Sequence, residues 1–225
     1  MNATGLFVAF EGIDGSGKGT QIGEVEKAIR GWNKYQPLVL DREPTWKAEE
    51  LRSRLTTETD PMTNSARMAG LFIGDRGEHY LEIKSDVERS RVVLCDRFTL
   101  STLAYQSTQG QTMLDLVSGH FAANVGTPDI TFYLALSAEE AARRMSVRGD
   151  KREKFENIDF ARKLALQHEF LYRESRQDGL IGKLLGRIVK IDAAQEPKFV
   201  TADILRYLEP VYISKLSDDF CIQIK

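Results

Sequence analysis

The residues best suited to chemistry lie near the start of the chain, where Gly-Ile-Asp-Gly-Ser-Gly-Lys-Gly-Thr occupies positions 12–20. A short apolar run precedes this segment, and a segment of helical period follows it. Glycine accepts the positive φ angles that turn backbone N–H groups toward one anion, and it has no side chain to block the approach. The following helix adds unpaired N–H groups and the positive end of its dipole. The segment is therefore predicted to cradle phosphate.

Within this segment, Gly12, Gly17 and Lys18 match the G-x-x-x-x-G-K core of the Walker A loop. The lysine of that loop neutralises the β and γ phosphates of ATP or GTP. The segment departs from the general pattern at Gly19, because the expected hydroxyl comes one position later, at Thr20, which is the candidate magnesium ligand. The predicted ATP-binding residues of the loop are Gly12, Ile13, Asp14, Gly15, Ser16, Gly17, Lys18, Gly19 and Thr20.

A GTPase is disfavoured by the rest of the sequence. Such a protein needs a guanine-reading Asn-Lys-x-Asp motif after a later strand. The Asn33-Lys34 pair instead follows the first predicted helix and precedes Tyr35-Gln36. The sequence therefore argues against a nucleotide-dependent switch.

Three arginines and one aspartate are predicted to gather near the carboxyl ends of the strands, where ligands of open parallel sheets bind. Arg42 and Arg97 each follow an acidic residue after a predicted strand, and Arg76 follows one within a predicted helix. Phosphoryl transfer between two nucleotides brings several phosphates together, and guanidinium groups hold phosphates with fixed, bidentate geometry. The arginines are therefore candidate ligands of an acceptor phosphate. Asp96, which ends the apolar run before Arg97, could hold the magnesium shell or orient Arg97.

Two kinds of segment alternate along the chain and predict its architecture. Five short apolar runs are predicted strands: residues 6–10, 37–40, 92–95, 130–136 and 188–191. Longer segments of helical period include residues 21–32, 46–55, 64–83, 138–147 and 159–176. The predicted fold is therefore α/β, with a five-stranded parallel sheet and helices on both faces. Near the C-terminus, Pro210 is predicted to end the last helix.

Composition limits the classes of protein to be considered. The 225 residues, 42% hydrophobic and 28% charged, are typical of one domain, residues 1–225, with a sizeable core. The formal net charge of −2 lacks the basic excess of proteins that bind long nucleic acids. No apolar stretch approaches the roughly 18 to 20 residues that span a bilayer, so neither a membrane span nor a signal peptide is predicted. Cys95 and Cys221 lack metal-site spacing and are predicted to be reduced thiols of a cytoplasmic protein.

Five separated motifs resemble those of the thymidylate kinase family, in the family's order, between residues 6 and 192. They are FEGIDGSGKGTQ, DREP, FIGDR, DRFTLSTLAYQ and TPDITFYLAL. The resemblance implies the P-loop NTPase fold and a reaction in which ATP, with Mg²⁺, phosphorylates dTMP to dTDP for dTTP synthesis. It implies direct in-line transfer with no covalent enzyme intermediate. It also implies a homodimer, for which the predicted helix at residues 64–83 could supply the interface.

The same resemblance assigns roles to residues that phosphate chemistry alone does not explain. Asp14 would bind the sugar 3′-hydroxyl of the acceptor near the metal, although a hydrogen bond that stabilises the loop is the alternative. Phe72 would stack on the thymine ring, but a phenylalanine in an apolar helix is also a common core residue. Tyr105 would crowd the 2′ position and favour deoxyribose. Base-edge contacts would come from polar groups that could instead cap a helix start, at Ser101, Thr102 and Gln106.

A dense charged segment, residues 148–154, has two interpretations. Family members that lack an arginine in the phosphate loop supply one from a mobile lid, and this loop has Gly15 and Ser16 where that arginine could lie. The resemblance therefore implies a lid, at about residues 148–156, that closes over ATP and excludes water. The basic candidates, best match to the family first, are Arg144, Arg148, Arg152 and Lys154. Arg148 is the candidate catalytic residue of the lid, and an ordinary solvated loop is the alternative.

One departure from the family pattern affects the acceptor site. The family continues Arg-Glu-Pro with Gly-Gly-Thr, whereas Pro44 here runs directly into Thr45 and Trp46. The acceptor range is therefore open, and dUMP or another nucleoside monophosphate such as AMP is the alternative substrate. A protein that binds nucleotides without transferring phosphate is the alternative from a different class.

Overall fold

The computed structural model describes residues 5–57, 64–148 and 158–216. The strands in these ranges are β1 (Leu6–Glu11), β2 (Leu38–Arg42), β3 (Val92–Asp96), β4 (Ile130–Ala135) and β5 (Ile188–Asp192). The helices are α1 (Lys18–Trp32), α2 (Glu49–Thr57), α3 (Ser65–Glu88), α4 (Thr99–Thr108), α5 (Met113–Ala122), α6 (Ala138–Arg148), α7 (Ile158–Glu174), α8 (Leu180–Leu185) and α9 (Pro197–Leu216). None of these described helices is both long and apolar enough to cross a membrane. Cys221 lies outside the described residues.

The five strands form one sheet in the order β2-β3-β1-β4-β5, and every neighbouring pair is parallel. Every residue of β1 is buried, as are all residues of β4 before Ala135. Continuously apolar sequences give this result, because a strand covered on both faces has no side that faces solvent. The predicted α/β fold with a five-stranded parallel sheet is confirmed.

Helices pack on both faces of the sheet, because neighbouring side chains of each strand point in opposite directions. Phe7 of β1 belongs to an apolar cluster with Ile83 of α3. Its neighbour Val8 belongs to a larger cluster with Ile29 of α1 and Ile204 of α9. Burying each of these side chains contributes about 1.5–3 kcal/mol, so the sheet is a firm base for the loops at the strand ends.

The register of the strands brings the predicted site residues to one edge of the sheet. Asp96 pairs with Phe10 of β1 and with Arg42 of β2. The alignment continues past the strand ends, where the N–H of Arg97 donates to the carbonyl of Phe10 (2.9 Å) and the N–H of Glu43 donates to that of Asp96 (3.1 Å). The phosphate loop, Arg42 and Arg97 therefore start side by side.

Before α9, three helix boundaries differ from the predictions by three residues or more, and two short helices were not predicted. α2 begins at Glu49 rather than at residue 46. α1 begins at Lys18 rather than at residue 21, since Gly17 adopts a left-handed φ of 93° and lets the helix start directly after the loop. α3 continues to Glu88 rather than ending at residue 83. α5 and α8 were not predicted, because helices of 10 and 6 residues show little periodicity.

The prediction that Pro210 ends the last helix is wrong, because α9 continues through it to Leu216. Proline removes one backbone hydrogen bond, here to the carbonyl of Arg206, but that residue is exposed and water can replace the bond. The buried face of α9 continues past the proline and consists of Val200, Ile204, Leu208, Tyr212 and Leu216. The packing of Tyr212 on Trp32, with ring centroids 5.1 Å apart, helps to offset the lost bond.

Candidate active site

The loop between β1 and α1 has the backbone conformation of a phosphate cradle. Gly12, Gly15 and Gly17 have φ angles of 141°, 81° and 93°, which residues with side chains rarely adopt. Gly15 has a second constraint, since a Cβ atom there would lie 2.8 Å from the carbonyl oxygen of Ala141 in α6. The loop therefore needs glycine both for its own geometry and for its close approach to the helix that ends at Arg148.

Lys18 begins α1 and folds back over the loop. Its Nζ donates to the carbonyl oxygens of Gly12 (3.0 Å) and Ile13 (3.2 Å), and its side chain is buried. Burial and the nearby charge of Arg97 lower the pKa of Lys18 to about 8. Ser16 Oγ is also buried and has no hydrogen-bond partner among the described residues. The loop thus offers an ammonium and a hydroxyl to an anion, beside its backbone N–H groups.

Asp96 and Thr20, the predicted magnesium residues, differ in their environments. Oδ1 of Asp96 is buried without a hydrogen-bond partner in the described residues, and its Oδ2 lies 3.9 Å from Nε of Arg42. A buried, unpaired carboxylate oxygen is suited to Mg²⁺ or its water shell. Thr20 and its neighbour Gly19 are exposed in the first turn of α1. Among residues 5–57, 64–148 and 158–216, no group of three His, Cys, Asp or Glu side chains could hold a metal.

Arg97 joins the phosphate loop to the start of α4. Its φ of 72° is left-handed, which costs a non-glycine residue roughly 1–2 kcal/mol and is common at functional positions. Its Nη2 donates to Asp14 Oδ1 at 2.5 Å, and its Nη1 donates to Ser101 Oγ (3.2 Å) and to the carbonyl of Gly12 (3.4 Å). The guanidinium carbon also lies 5.1 Å from the centroid of the Tyr105 ring. Arg97 therefore contacts the donor loop and two predicted acceptor residues together.

Asp14 is the carboxylate of the loop, and both of its oxygens have partners. Arg97 contacts Oδ1, and the hydroxyl of Tyr105 donates to Oδ2 at 3.1 Å. Burial disfavours the charged form, but the charges of Arg97 and Lys18 outweigh it and hold the pKa of Asp14 well below its usual range. Asp14 makes the loop-stabilising contact that the sequence left as an alternative, and a contact with a sugar hydroxyl stays a prediction.

Glu11 is a part of the site that sequence reasoning missed. Its buried carboxylate accepts hydrogen bonds from the N–H groups of Phe98 (2.8 Å) and Ser101 (3.1 Å) and from the Ser101 hydroxyl. These contacts fasten the N-terminus of α4 to the end of β1. Burial raises the pKa of Glu11 to about 7, although the hydrogen bonds of Ser101 and the charge of Arg97 oppose the shift. A carboxylate at the end of a wholly apolar strand was the signal that could have identified it.

Arg76 is almost fully enclosed by protein groups. It is 1% exposed, and its Nε donates to Glu43 Oε2 at 2.8 Å, which also accepts from Nη2. Its Nη1 donates to Thr102 Oγ1 (2.7 Å) and lies 2.8 Å from His120 Nε2. Nδ1 of His120 faces the carbonyl of Leu116 at 2.7 Å, so Nδ1 carries the proton and Nε2 accepts from Arg76. With these donors occupied, Arg76 is better placed to shape the acceptor site than to grip a phosphate.

The loop after β2 is held at three points by α3. Nδ1 of His79 is hydrogen-bonded to Glu43 Oε1 at 3.0 Å, whereas its Nε2 approaches Asp41 Oδ2 to 3.0 Å as an ion pair without hydrogen-bond geometry. Thr45 donates its N–H to Asp75 Oδ2 at 2.9 Å and its hydroxyl to Oδ1 of the same residue. Burial alone would lower the pKa of His79, but the contacts with Asp41 and Glu43 raise it to about 9. His79 is therefore protonated at neutral pH.

Other predicted acceptor residues differ in how available they are. Gln106 is buried, and its Oε1 has no hydrogen-bond partner in the part of the chain that the structure describes. Phe72 is partly buried on α3, one turn before Arg76. The side chain of Arg42 is 73% exposed. Phe72, Gln106 and Arg42 can therefore accept a ligand without giving up a short hydrogen bond.

The lid residues are only partly described. Nε of Arg144 lies 2.8 Å from a carboxylate oxygen of its own helix, and its Nη2 donates to the carbonyl of Ala193 at 2.9 Å. Arg148 is the last residue of α6. The rest of the predicted lid, which includes Arg152 and Lys154, lies outside the described residues.

A glycine-rich phosphate loop lies at one edge of a parallel sheet, beside arginines and a carboxylate. This combination is typical of P-loop phosphotransferases that act on nucleotides. Comparison with known proteins specifies the family. Residues 10–204 match the family model described as Thymidylate kinase. The chain belongs to the thymidylate kinase family, and it is therefore a nucleoside monophosphate kinase.

Individual relatives agree with the family match. The thymidylate kinase of Verminephrobacter eiseniae is 33% identical over 212 residues, which cover 87% of each chain. That of Exiguobacterium sp. is 33% identical over 210 residues, which cover 91% of this chain and 94% of that protein. The crystal structure of thymidylate kinase from Ehrlichia chaffeensis matches with a TM-score of 0.71 and 25% identity, over 91% of this chain and 99% of that chain. The P-loop NTPase fold is thereby confirmed.

Proposed function

We propose that the protein transfers the γ-phosphoryl group of ATP to dTMP and so supplies dTDP for dTTP synthesis. The observation that carries the proposal is the position of Arg97. It contacts the donor loop at Asp14 (2.5 Å) and Gly12 (3.4 Å), and it lies two residues before the helix that carries Tyr105. A cation in that position can face the phosphates of both nucleotides, as transfer between them requires.

The donor loop holds the reacting phosphates while the transfer proceeds in line. Its backbone N–H groups and the ammonium of Lys18 bind the β and γ phosphates. An oxygen of the dTMP phosphate forms a bond to the γ-phosphorus as the bond from that phosphorus to the β–γ bridging oxygen breaks, and ADP leaves. Lys18 and Arg97 neutralise the charge that moves toward ADP. No covalent bond forms between the enzyme and phosphate.

Magnesium is the cofactor that this chemistry requires. Bound to the phosphates, the ion neutralises their charge and orients them. Asp96, with its unpaired Oδ1, is the residue that we assign to the ion or its water shell. Thr20 is the second candidate, since its hydroxyl is exposed at the first turn of α1.

The acceptor site lies between α3 and α4. In this proposal Phe72 stacks on the thymine ring. Gln106 contacts the edge of the base, and its Oε1 has no hydrogen-bond partner in the described ranges. The hydroxyl of Thr102 contacts Arg76, which supports a shared role in shaping this pocket. Tyr105 crowds the 2′ position of the sugar and so favours deoxyribose.

The acceptor phosphate is assigned to the arginines at the sheet edge. Arg97 and the exposed Arg42 are its two principal ligands, because both lie beside Asp96 at the ends of neighbouring strands. Ser101 supports Arg97, to which its hydroxyl is hydrogen-bonded at 3.2 Å. The 3′-hydroxyl of the sugar is assigned to Asp14, next to Arg97.

The proposal also covers the lid, the oligomeric state and the cellular compartment. Arg148, at the end of α6, closes over ATP with help from Arg144. The protein forms a homodimer through α3, on which Leu81 is 66% exposed. It acts in the cytoplasm on small nucleotides and not on nucleic acid.

The proposal is tested by ADP production with ATP, Mg²⁺ and each of dTMP, dUMP, dCMP, dGMP, AMP and UMP in turn. The Lys18→Ala variant should lose the dTMP-dependent rate, because it lacks the ammonium of the loop. Lys27→Ala is the matched control, since Lys27 lies on the same helix and pairs with Glu24 at the surface.

Each outcome of this assay has one meaning. ADP release that depends on dTMP, persists in Lys27→Ala and is lost in Lys18→Ala supports the proposal. Stimulation by AMP or dUMP instead of dTMP would retain phosphoryl transfer and overturn the base-site assignments. Tight ATP binding without stimulation by any monophosphate would identify a non-catalytic binding protein.

A further inference from the structure

His79 occupies a position that the predicted chemistry does not explain. It lies in the middle of α3, its side chain is 2% exposed, and it contacts two carboxylates from a different element. These carboxylates belong to Asp41 and Glu43, the residues on either side of Arg42. One histidine therefore holds both neighbours of a predicted phosphate ligand.

Arg42 depends on this support because few other contacts fix its direction. Its side chain is 73% exposed, and the ion pair that the structure records for it is a 3.9 Å approach to Asp96. The backbone at residues 41–43 therefore sets where this side chain starts and which part of the site its guanidinium can reach. His79 contacts this backbone segment through both neighbouring side chains, each at 3.0 Å.

Both ring nitrogens of His79 face carboxylates: Nδ1 is hydrogen-bonded to Glu43, and Nε2 approaches Asp41 to 3.0 Å as an ion pair without hydrogen-bond geometry. A neutral imidazole has one N–H donor and one acceptor nitrogen, whereas an imidazolium has two donors. The second nitrogen of a neutral ring would face a carboxylate with a lone pair. The rise in the pKa of His79 to about 9 agrees with the doubly protonated form.

The contact with Glu43 extends the support to a second arginine. Glu43 accepts from Nε of Arg76 at 2.8 Å through its other oxygen, and Glu43 is 2% exposed. His79 and Arg76 lie three residues apart and so share one face of α3. A continuous chain of alternating charge thus runs through Asp41, His79, Glu43 and Arg76.

We propose that His79 is a positioning residue for the acceptor phosphate: through Asp41 and Glu43 it holds the loop after β2 so that Arg42 meets that phosphate. This inference rests on the proposed function, since it concerns the acceptor of the transfer. His79 itself does not touch either nucleotide. Its loss weakens the use of dTMP and leaves the binding of ATP unchanged.

The test compares steady-state kinetics of wild type, His79→Gln and Ile83→Val. Ile83 is the matched control, because it is buried one turn further along α3 and contacts the core rather than the loop. His79→Gln should raise KM for dTMP about tenfold, as expected when roughly one charge-assisted hydrogen bond of positioning is lost. KM for ATP should change less than about twofold in both variants, and Ile83→Val should leave KM for dTMP unchanged.

Asp41→Asn keeps the test informative if His79→Gln does not fold. The side chain of Asp41 is 34% exposed, so its substitution spares the buried contact between Glu43 and Arg76. It should raise KM for dTMP about threefold, again without changing KM for ATP.

Three results would overturn the inference: an unchanged KM for dTMP in folded His79→Gln and Asp41→Asn, equal increases for both substrates, or the same increase in Ile83→Val. Absence of dTMP-dependent ADP release in the wild type would instead contradict the proposed function. The two failures are therefore distinguishable within one set of assays.

Discussion

The donor and acceptor halves of the site are built in different ways. The donor half is one continuous loop, residues 12–20, in which glycines with positive φ angles aim backbone N–H groups inward. Its lysine, Lys18, contacts carbonyls of the same loop. The acceptor half consists of arginines from separate elements, each near or paired with a carboxylate: Arg42 with Asp96, Arg76 with Glu43, and Arg97 with Asp14.

This difference predicts which half of the site tolerates substitutions and in which half one substitution affects several residues. A loop made of backbone groups depends on a few glycines and one lysine, so most other substitutions nearby leave its geometry intact. A site made of paired side chains behaves as a network, in which the loss of one partner leaves another charge unpaired. Mutations in the acceptor half should therefore affect stability and substrate use together.

The largest expected effect follows from breaking the buried pair of the acceptor half. Glu43→Gln should lower the free energy of unfolding by about 3–5 kcal/mol, because it leaves the guanidinium of Arg76, which is 1% exposed, without its carboxylate. It should also raise KM for dTMP while KM for ATP stays unchanged. Urea unfolding and steady-state kinetics provide the two measurements.

The control for this variant is a surface pair. Glu24→Gln removes the partner of the exposed Lys27 and should change the free energy of unfolding by at most about 1 kcal/mol. Similar unfolding midpoints for the Glu43 and Glu24 variants would contradict the view that the acceptor half is a buried charge network.

Arg97→Ala should have the next largest effect, on turnover more than on folding. Loss of its charge from between the two nucleotides should reduce kcat by about 100- to 1,000-fold. Stability should fall by less than in Glu43→Gln, since the side chain of Asp14 is 45% exposed and water replaces part of the lost contact, while alanine is as strained as arginine at a φ of 72°. Arg30→Ala, on the exposed side of α1, is the control, and an Arg97→Ala enzyme with wild-type kinetics would remove Arg97 from the site.

The pH dependence of stability should report on His79. Its pKa is raised from 6.5 to about 9 in the folded protein, so between these values the folded state binds more protons than the unfolded state. Its stabilising contribution is therefore complete below pH 6.5 and is lost as the pH rises through 9. The difference in unfolding free energy between wild type and His79→Gln should shrink by about 2 kcal/mol over this range, since Asp41 is partly solvated.

The comparison with His79→Gln is needed because two other groups near the phosphate loop titrate in the same pH range. Burial raises the pKa of Glu11 to about 7 and lowers that of Lys18 to about 8, and both groups are present in wild type and variant. Their contributions therefore cancel in the difference. A difference that stays constant from pH 6 to 10 would show that folding does not raise the pKa of His79.

The smallest expected effect is at the boundary of the two halves. Tyr105→Phe keeps the ring beside Arg97 but removes the hydroxyl that donates to Asp14 at 3.1 Å. Loss of one such bond corresponds to about 1 kcal/mol, so the rate with dTMP should fall by less than about tenfold. The rate with UMP relative to dUMP should rise, because the 2′ position becomes less crowded. An unchanged ratio would refute this role of Tyr105, and Tyr35→Phe at the surface is the control.

The same difference explains what the sequence could predict. Everything that defines the phosphate loop lies within residues 12–20, so its spacing alone predicted it. The apolar strands that flank the site were also predicted to within two residues at each end. Both signals are local, and local patterns are what a single sequence displays most clearly.

The partners of the acceptor half could not be predicted, because they come together only through the fold. Arg76 and Glu43 are 33 residues apart, and Ser101 and Glu11 are 90 residues apart. No spacing indicates which carboxylate faces which cation across such separations. The prediction that Pro210 ends the last helix failed for a similar reason. The packing of α9 on the sheet, which the sequence does not display, outweighs the local effect of a proline.

The most direct test of the central claim is to follow the γ-phosphate of ATP, labelled with ³²P, in a reaction with dTMP and Mg²⁺. Separation of the products by chromatography and of the protein by gel would show where the label goes. The account predicts that the label appears in dTDP in equal amount to the ADP formed, with none bound to the protein. Label in inorganic phosphate alone, or a phosphorylated protein that forms before dTDP, would contradict direct transfer between the two halves of the site.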